Sequence, residues 1–156
     1  MAQTVRMADD TPTKSPDRWF RPVDELAELH AQLRVRLCER TGDDSYAYAS
    51  PIGWAALVDE LDHAIAELLP DYVLKQCKEK FGSLRYYIEG AGDQRVQSLI
   101  TKAEQDASTI CDICSAPGAL RGAERSNNER QHWLRTRCDM HADFRDSPYA
   151  DDDDWE

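Results

Sequence analysis

Residues 111–141 read CDICSAPGALRGAERSNNERQHWLRTRCDMH and hold two pairs of metal-capable side chains. Cys111 and Cys114 form the first pair, Cys138 and His141 form the second, and 23 residues separate the two pairs. Zinc takes four sulfur and nitrogen ligands in a tetrahedron, and a tight turn presents two thiolates at once. The spacing therefore predicts one zinc site built from all four side chains.

The residues around these ligands predict how the chain closes on the metal. Residues 111–118 contain the small residues and the Pro-Gly of a zinc knuckle. Residues 119–121 and 132–137 predict two strands around a polar turn, after which Cys138 and His141 fall at i and i+3 on a starting helix. Knuckle, hairpin and helix make a treble-clef-like zinc module over residues 111–145. Four protein ligands leave no open position for substrate, so this zinc is predicted to be structural.

Apolar periodicity predicts three helices before the module. The first runs from Pro22 to about Glu39, and the second starts at Ser50-Pro51, with Ser50 as its N-cap, and stops at Pro70. The third follows a turn at 90–93 and carries apolar positions as far as Ile110. Four carboxylates of the second helix are predicted to form a solvated face: Asp59, Glu60, Asp62 and Glu67.

A β-hairpin is predicted between the second and third helices. Residues 75–90 read KQCKEKFGSLRYYIEG, in which aromatic and β-branched residues flank the turn Phe81-Gly82-Ser83. The second strand places Leu84, Tyr86 and Ile88 on one face. On the first strand the pattern leaves open which residues face inward: Tyr72 and Leu74, or Val73 and Cys77.

These elements predict an α+β fold in which helices pack on a small antiparallel β-hairpin and a treble-clef-like zinc module ends the chain. We expect residues 1–18 to form a flexible N-terminal arm, 19–146 a single domain and 147–156 an acidic tail. Neither a signal peptide nor an apolar stretch of membrane-spanning length is present, so we expect a cytoplasmic protein. Five cysteines, an odd number, then favour metal binding over disulfides.

The charge pattern points to two kinds of partner. The formal net charge of −11 favours a basic protein partner and opposes non-specific binding of nucleic acid. Residues 121–137, in contrast, hold five arginines against two glutamates. These arginines either contact nucleic acid, with a tryptophan for stacking, or pair with the protein's own acidic helices. The candidate contact residues are Arg121, Arg125, Arg130, Trp133, Arg135 and Arg137.

The sequence argues against the common zinc and thiol enzymes. A zinc deaminase needs His-x-Glu upstream of its cysteine pair, and no His-x-Glu occurs in this chain. A redox Cys-x-x-Cys begins a helix, whereas the pair at Cys111 and Cys114 is predicted to follow one. No catalytic residues are predicted, and we expect a protein that is not an enzyme.

Three segments together resemble a family of short bacterial and phage-encoded zinc-binding proteins. They are KQCKEKFGSLRYYIEG, CDICSAPGALR and HWLRTRCDMH, and the resemblance covers about residues 54–141. It implies zinc at the four ligands named above and places the hairpin around Lys78, Lys80, Phe81 and Arg85 in the same folded unit. Small accessory proteins of phages often act by binding other proteins, as immunity factors or counter-defence inhibitors.

Two functions are therefore expected from the sequence. The leading one is a non-catalytic acidic protein-binding factor with a structural zinc, such as an immunity or counter-defence inhibitor of a basic protein or enzyme. The alternative is a nucleic-acid-binding regulatory protein that uses the arginine-rich zinc hairpin. Neither involves a membrane.

Overall fold

A computed structural model of the chain describes residues 17–41, 48–90, 92–122, 134–142 and 148. The chain is α+β in these ranges, as predicted, and most of the predicted N-terminal arm and acidic tail lies outside them. The helices are α1 (Val23–Thr41), α2 (Ala55–Leu68) and α3 (Gln94–Ala107). The strands are β1 (Tyr48–Ala49), β2 (Leu74–Lys80), β3 (Ser83–Ile88), β4 (Ala119–Gly122) and β5 (Leu134–Arg137).

Two of the three helices begin close to the predicted residues, and the other begins later than predicted. α1 starts at Val23, one residue after the predicted Pro22, and buries Leu26, Leu33 and Leu37. The start predicted for α2 is wrong, because a 3-10 turn occupies Ile52–Trp54 and α2 begins only at Ala55, with no side chain capping either element. α3 follows the predicted turn, and Asp93 caps it, since its carboxylate accepts hydrogen bonds from the backbone N–H groups of Arg95 and Val96.

The hairpin forms where the sequence predicts it, and a third strand joins it. β2 pairs antiparallel with β3, while the short β1 pairs parallel with β2. The register of β2 shifts between Leu74 and Gln76, which is a β-bulge. Tyr72 and Leu74 are both buried, as the first alternative predicted, whereas Val73 is only half-buried. The bulge after Leu74 also turns Cys77 toward the same side, so Cys77 is buried as the second alternative predicted.

The core lies between the three helices and one face of the three-stranded sheet. Trp54 is fully buried at its centre, and its indole Nε1–H donates to the backbone oxygen of Ile110 at 2.9 Å. Trp19 packs at the edge of the core, whereas its neighbour Phe20 stays 44% exposed. No helix in the described ranges has the length and the apolar character that crossing a bilayer requires.

The C-terminal module contains the predicted hairpin but ends differently. β4 and β5 pair antiparallel from Ala119↔Arg137 to Gly122↔Leu134. Cys138 and His141 then lie at a 3-10 turn over Asp139–His141 and not on an α-helix in the described part of the chain. The four predicted ligands still converge because a 3-10 turn, like the predicted helix, places positions i and i+3 on the same side.

Candidate metal centre

The knuckle turn is shaped by backbone hydrogen bonds that direct two thiols to one point. The N–H of Ser115 donates to the oxygen of Cys111 at 3.0 Å, and the N–H of Cys111 donates to the oxygen of Ala116 at 2.8 Å. Ser115 has a φ of 67°, in the left-handed region that lets the chain fold back tightly. An isolated bridge between Ile110 and Pro117 closes the base of the turn.

The four predicted ligands come together at this point. Their nearest ligand atoms all lie within 4.8 Å of one another. Sγ of Cys114 is 3.7 Å from Sγ of Cys138, and Nδ1 of His141 is 3.3 Å from Sγ of Cys138. Zinc bonds of about 2.3 Å to sulfur and about 2.0 Å to nitrogen separate tetrahedral ligands by roughly 3.5 to 3.8 Å. The cluster therefore has dimensions compatible with binding a single metal ion.

The thiols of this cluster resist ionisation more strongly at the knuckle than at the second pair. Burial raises the pKa of Cys111, and burial together with the neighbouring thiols raises the pKa of Cys114 to about 12. Burial also opposes the thiolate of Cys138, but the hydrogen bond from His141 lowers the pKa of Cys138 to about 7. Metal ligation requires thiolates, so a cation would supply the charge that holds all three sulfurs ionised in one small space.

A buried ion pair lies directly behind the ligands. The carboxylate of Asp112 is fully buried between the two knuckle cysteines, and it contacts Nε of Arg137, which is itself 1% exposed. Burial raises the pKa of Asp112 to about 6, although the charge of Arg137 acts in the opposite direction. Since each residue neighbours a ligand in sequence, the pair ties the first ligand pair to the second.

The knuckle turn is also joined to the helical core. The N–H of Gly53 donates to the oxygen of Asp112 at 2.9 Å, and a Cβ added to Gly53 would lie 2.2 Å from the oxygen of Cys111. The N–H of Ile52 donates to the oxygen of Pro148 at 2.8 Å. The 3-10 turn before α2 thus packs against the knuckle that carries the Cys-His cluster, and only glycine fits at their point of closest approach.

The arginines that the sequence singled out are ion-paired where the structure describes them. Arg121 pairs with Asp139 at 2.9 Å, Arg135 pairs with Glu79 at 3.0 Å, and Arg137 pairs with Asp112. These three arginines therefore pair within the protein, as one alternative expected, although the acidic partners named here lie on a turn, a strand and the knuckle. The other three candidates, Arg125, Arg130 and Trp133, lie outside the described residues.

A second polar cluster lies in the core, at a place where the sequence predicted solvent. Asp62 is fully buried, which corrects the prediction that it belongs to a solvated face of α2. Its carboxylate accepts from Nε of Arg36 at 3.0 Å and Nε of Arg40 at 2.5 Å, and it also contacts the hydroxyl of Tyr72. The hydroxyl of Tyr72 lies 2.6 Å from that of Tyr86.

The surroundings of this cluster favour an ionised Asp62 and neutral hydroxyls on Tyr72 and Tyr86. Burial opposes the ionised form of Asp62, but the hydrogen bonds from Arg40 and Tyr72 and the two nearby guanidinium charges lower its pKa. Burial raises the pKa of both Tyr72 and Tyr86. An ionised, fully engaged carboxylate of this kind joins α1, α2 and the sheet, and it has little capacity left to act as a base.

Comparison with known protein families, with curated proteins and with solved structures finds no match to this chain.

Proposed function

We propose that this protein is a non-catalytic protein-binding factor whose fold is held by one structural zinc ion. Three thiolates and one imidazole are a donor set that suits zinc, and four protein ligands complete its tetrahedron without a position for substrate. Cys111 and Cys114 on the knuckle, with Cys138 and His141 after β5, would make the module treble-clef-like. The zinc would stabilise the β4–β5 hairpin, which is too short to bury an apolar core of its own.

One observation carries the protein-binding part of the proposal: the knuckle holds an exposed segment in place. The N–H of Arg21 donates to Oγ of Ser115 at 2.9 Å, and Oγ–H of Ser115 donates back to the oxygen of Arg21 at 3.3 Å. Because Ser115 belongs to the turn that carries Cys114, closing the metal site would fix the start of α1.

That segment has the composition of a contact surface for a basic protein. Phe20 and Val23 are 44% and 67% exposed, and three acidic residues beside them are exposed as well. Exposed aromatic side chains serve as anchors at protein interfaces, and acidic side chains around them attract a basic partner and speed its approach. We name this surface the acidic-apolar patch: Phe20, Val23, Asp24, Glu25 and Glu28.

The end of the sequence adds acidic charge that would act in the same direction. Residues 143–156 hold seven acidic residues and one arginine. Small acidic proteins that mask a basic active site, as immunity or counter-defence inhibitors do, fit this charge and the resemblance of the hairpin and zinc motifs to phage-encoded proteins. A cytoplasmic setting suits both the thiolate ligands and such a partner.

The test is affinity capture from a lysate of the host, followed by titration of the purified captured protein. The proposal predicts a basic partner whose affinity falls as salt is added. Changing Asp24, Glu25 and Glu28 to their amides should weaken the complex by about tenfold or more, since three close charges are removed. The matched control removes three exposed charges elsewhere, through Glu67→Gln, Asp71→Asn and Glu89→Gln, and should retain binding. No captured protein, or equal losses in both variants, would contradict the proposal.

A further inference from the structure

The β2–β3 hairpin presents a second surface, on the side of the sheet away from the core. The pairs Cys77↔Tyr86 and Glu79↔Leu84 alternate along the hairpin with Gln76↔Tyr87, Lys78↔Arg85 and Lys80↔Ser83. Cys77, Leu84 and Tyr86 are buried against the core, so the alternate pairs point outward. We name this surface the outer hairpin face: Gln76, Lys78, Lys80, Ser83, Arg85 and Tyr87, with Phe81 at its tip.

Within the described ranges, the cations of this face have no acidic partner at ion-pair distance, unlike Arg121 and Arg135. Lys78, Lys80 and Arg85 form no ion pair with any residue that the structure describes, although Arg85 lies near Glu104 of α3. Lys78 and Arg85 are moreover direct cross-strand partners, an arrangement of like charges that destabilises a hairpin. A bound anion between the two side chains would remove this repulsion.

The aromatic residues of the face are exposed and one of them is strained. Phe81 is 55% exposed, and its φ of 55° is rare for a bulky residue. With Gly82 at φ 81° it forms the two-residue turn of the hairpin, where asparagine is the usual first residue. Nζ of Lys80 lies 5.5 Å from the Phe81 ring centroid, and Tyr87, farther along the face, is 48% exposed. A ring that is strained at its backbone and more than half exposed indicates a role in binding.

The turn is held firmly enough to present this ring. Oγ1–H of Thr136 donates to the oxygen of Gly82 at 2.7 Å, and Arg135 pairs with Glu79 at the end of β2. Glu79 in turn accepts from the N–H of Gly82 at 2.7 Å. The β4–β5 hairpin of the metal-binding module thus supports the tip of the β2–β3 hairpin from below.

We propose that the outer hairpin face binds single-stranded nucleic acid. The rings of Phe81 and Tyr87 would each stack on a base, and Lys78, Lys80 and Arg85 between them would contact the phosphates. Ser83 and Tyr87 are separated by roughly 14 Å along β3, which is room for a short run of nucleotides. In a duplex the bases are stacked on one another, so the base faces on which the two rings would stack are covered, whereas unstacked single-stranded bases expose them. An acidic peptide would satisfy the cations but would leave both aromatic rings unused.

The overall acidity of the chain does not exclude this contact. The described ranges hold 14 lysines and arginines against 17 aspartates and glutamates, whereas residues 143–156 alone hold seven acidic residues. Much of the negative charge is therefore concentrated at the end of the sequence. We expect weak binding that is strongest at low salt. This inference goes beyond the proposed protein-binding function and does not depend on it.

The test is fluorescence anisotropy of a labelled oligothymidylate or oligouridylate of about 12 nucleotides, titrated with the metal-loaded full chain at about 50 mM salt. Lys78→Gln with Arg85→Gln should weaken binding by at least about fivefold and make the slope of log affinity against log salt shallower by about 1.4, because two phosphate contacts are lost. Phe81→Asn and Tyr87→Ser should each weaken binding by about fivefold or more without changing the slope.

The control for charge is Arg95→Gln with Lys102→Gln, which removes two cations from the exposed surface of α3. It should retain binding within about twofold, since neither residue lies on the hairpin. Circular dichroism melts of every variant would identify any loss that comes from unfolding. The proposal is overturned by the absence of saturable binding at low salt, by equal losses in the control, or by a polyglutamate peptide binding more tightly than either oligonucleotide.

Discussion

Gly53 lies at the contact between the helical core and the knuckle turn. A substitution at this one residue therefore tests whether the two parts are fixed against each other. A methyl group there would meet the backbone oxygen of Cys111 at 2.2 Å, and backbone cannot move aside as a side chain can. We expect Gly53→Ala to lower the free energy of unfolding by about 1 to 3 kcal/mol and to lower the affinity for zinc. Urea unfolding and competition with a chromogenic chelator measure the two effects.

The matched control is Gly92→Ala, because a Cβ at Gly92 would have no neighbour within 4 Å. Its unfolding free energy should stay within about 0.5 kcal/mol of the parent value. If Gly53→Ala were equally harmless, the turn before α2 would not be fixed against the knuckle as described.

The pair of Asp112 and Arg137 is a second test at the same scale. Removing one member leaves a buried charge without compensation, so Arg137→Met should lower the unfolding free energy by about 3 to 5 kcal/mol. Adding Asp112→Asn to that variant should cost much less than Asp112→Asn costs alone, because the two residues are coupled. A double-mutant cycle on the exposed pair Arg121 and Asp139 is the comparison, and it should give a coupling close to zero. Additive losses at Asp112 and Arg137 would mean that their contact does not stabilise the fold.

Some of these single residues were predictable from the sequence and others were not. The convergence of the Cys-His cluster was predictable, because the spacing within each pair of side chains is a local signal. The burial of Asp62 was not, since a carboxylate on the polar side of a helix looks solvated until Arg36 and Arg40 of another helix close over it. The same holds for Asp112, whose partner Arg137 is 25 residues away in sequence.

At the scale of elements, the hairpin turn shows a conflict between stability and the proposed binding role. Asparagine adopts positive φ more readily than phenylalanine, and it is the favoured first residue of this turn type. Phe81→Asn should therefore raise the unfolding free energy by about 0.5 to 1 kcal/mol, while it weakens nucleic-acid binding. Thermal unfolding of the two proteins measures the first effect. A marked loss of stability would show that the Phe81 ring serves the fold.

The elements themselves were predicted unevenly, for physical reasons. Long amphipathic helices and the β2–β3 hairpin follow from periodicity and turn residues, and both are confirmed. The start of α2 was placed too early because Ser50-Pro51 is a good local helix start, whereas the contact of Gly53 with Asp112 favours a 3-10 turn instead. The bulge in β2 was also beyond prediction, since periodicity assumes an unbroken alternation.

At the scale of the whole molecule, the cluster around Asp62 makes stability depend on pH. Its folded pKa lies below the ordinary value of 3.8, so its contribution is complete at neutral pH and is lost as the pH falls below 3.8 through the folded pKa. Asp62→Asn should cost about 3 kcal/mol at pH 7, because Arg36, Arg40 and Tyr72 lose a charged partner. The difference between the two proteins should shrink in acid. Urea titrations at several pH values test this, and a difference independent of pH would contradict it.

The central claim is that the Cys-His cluster binds one zinc ion and that this ion holds the whole fold together. The most direct measurement is elemental analysis of the purified protein, combined with a thermal melt before and after chelation. We predict one equivalent of zinc, and a melting transition that moves down for the complete domain when the metal is removed, because binding free energy is also folding free energy. Less than about half an equivalent of zinc, or an unchanged melt after Cys138→Ser, would contradict the claim.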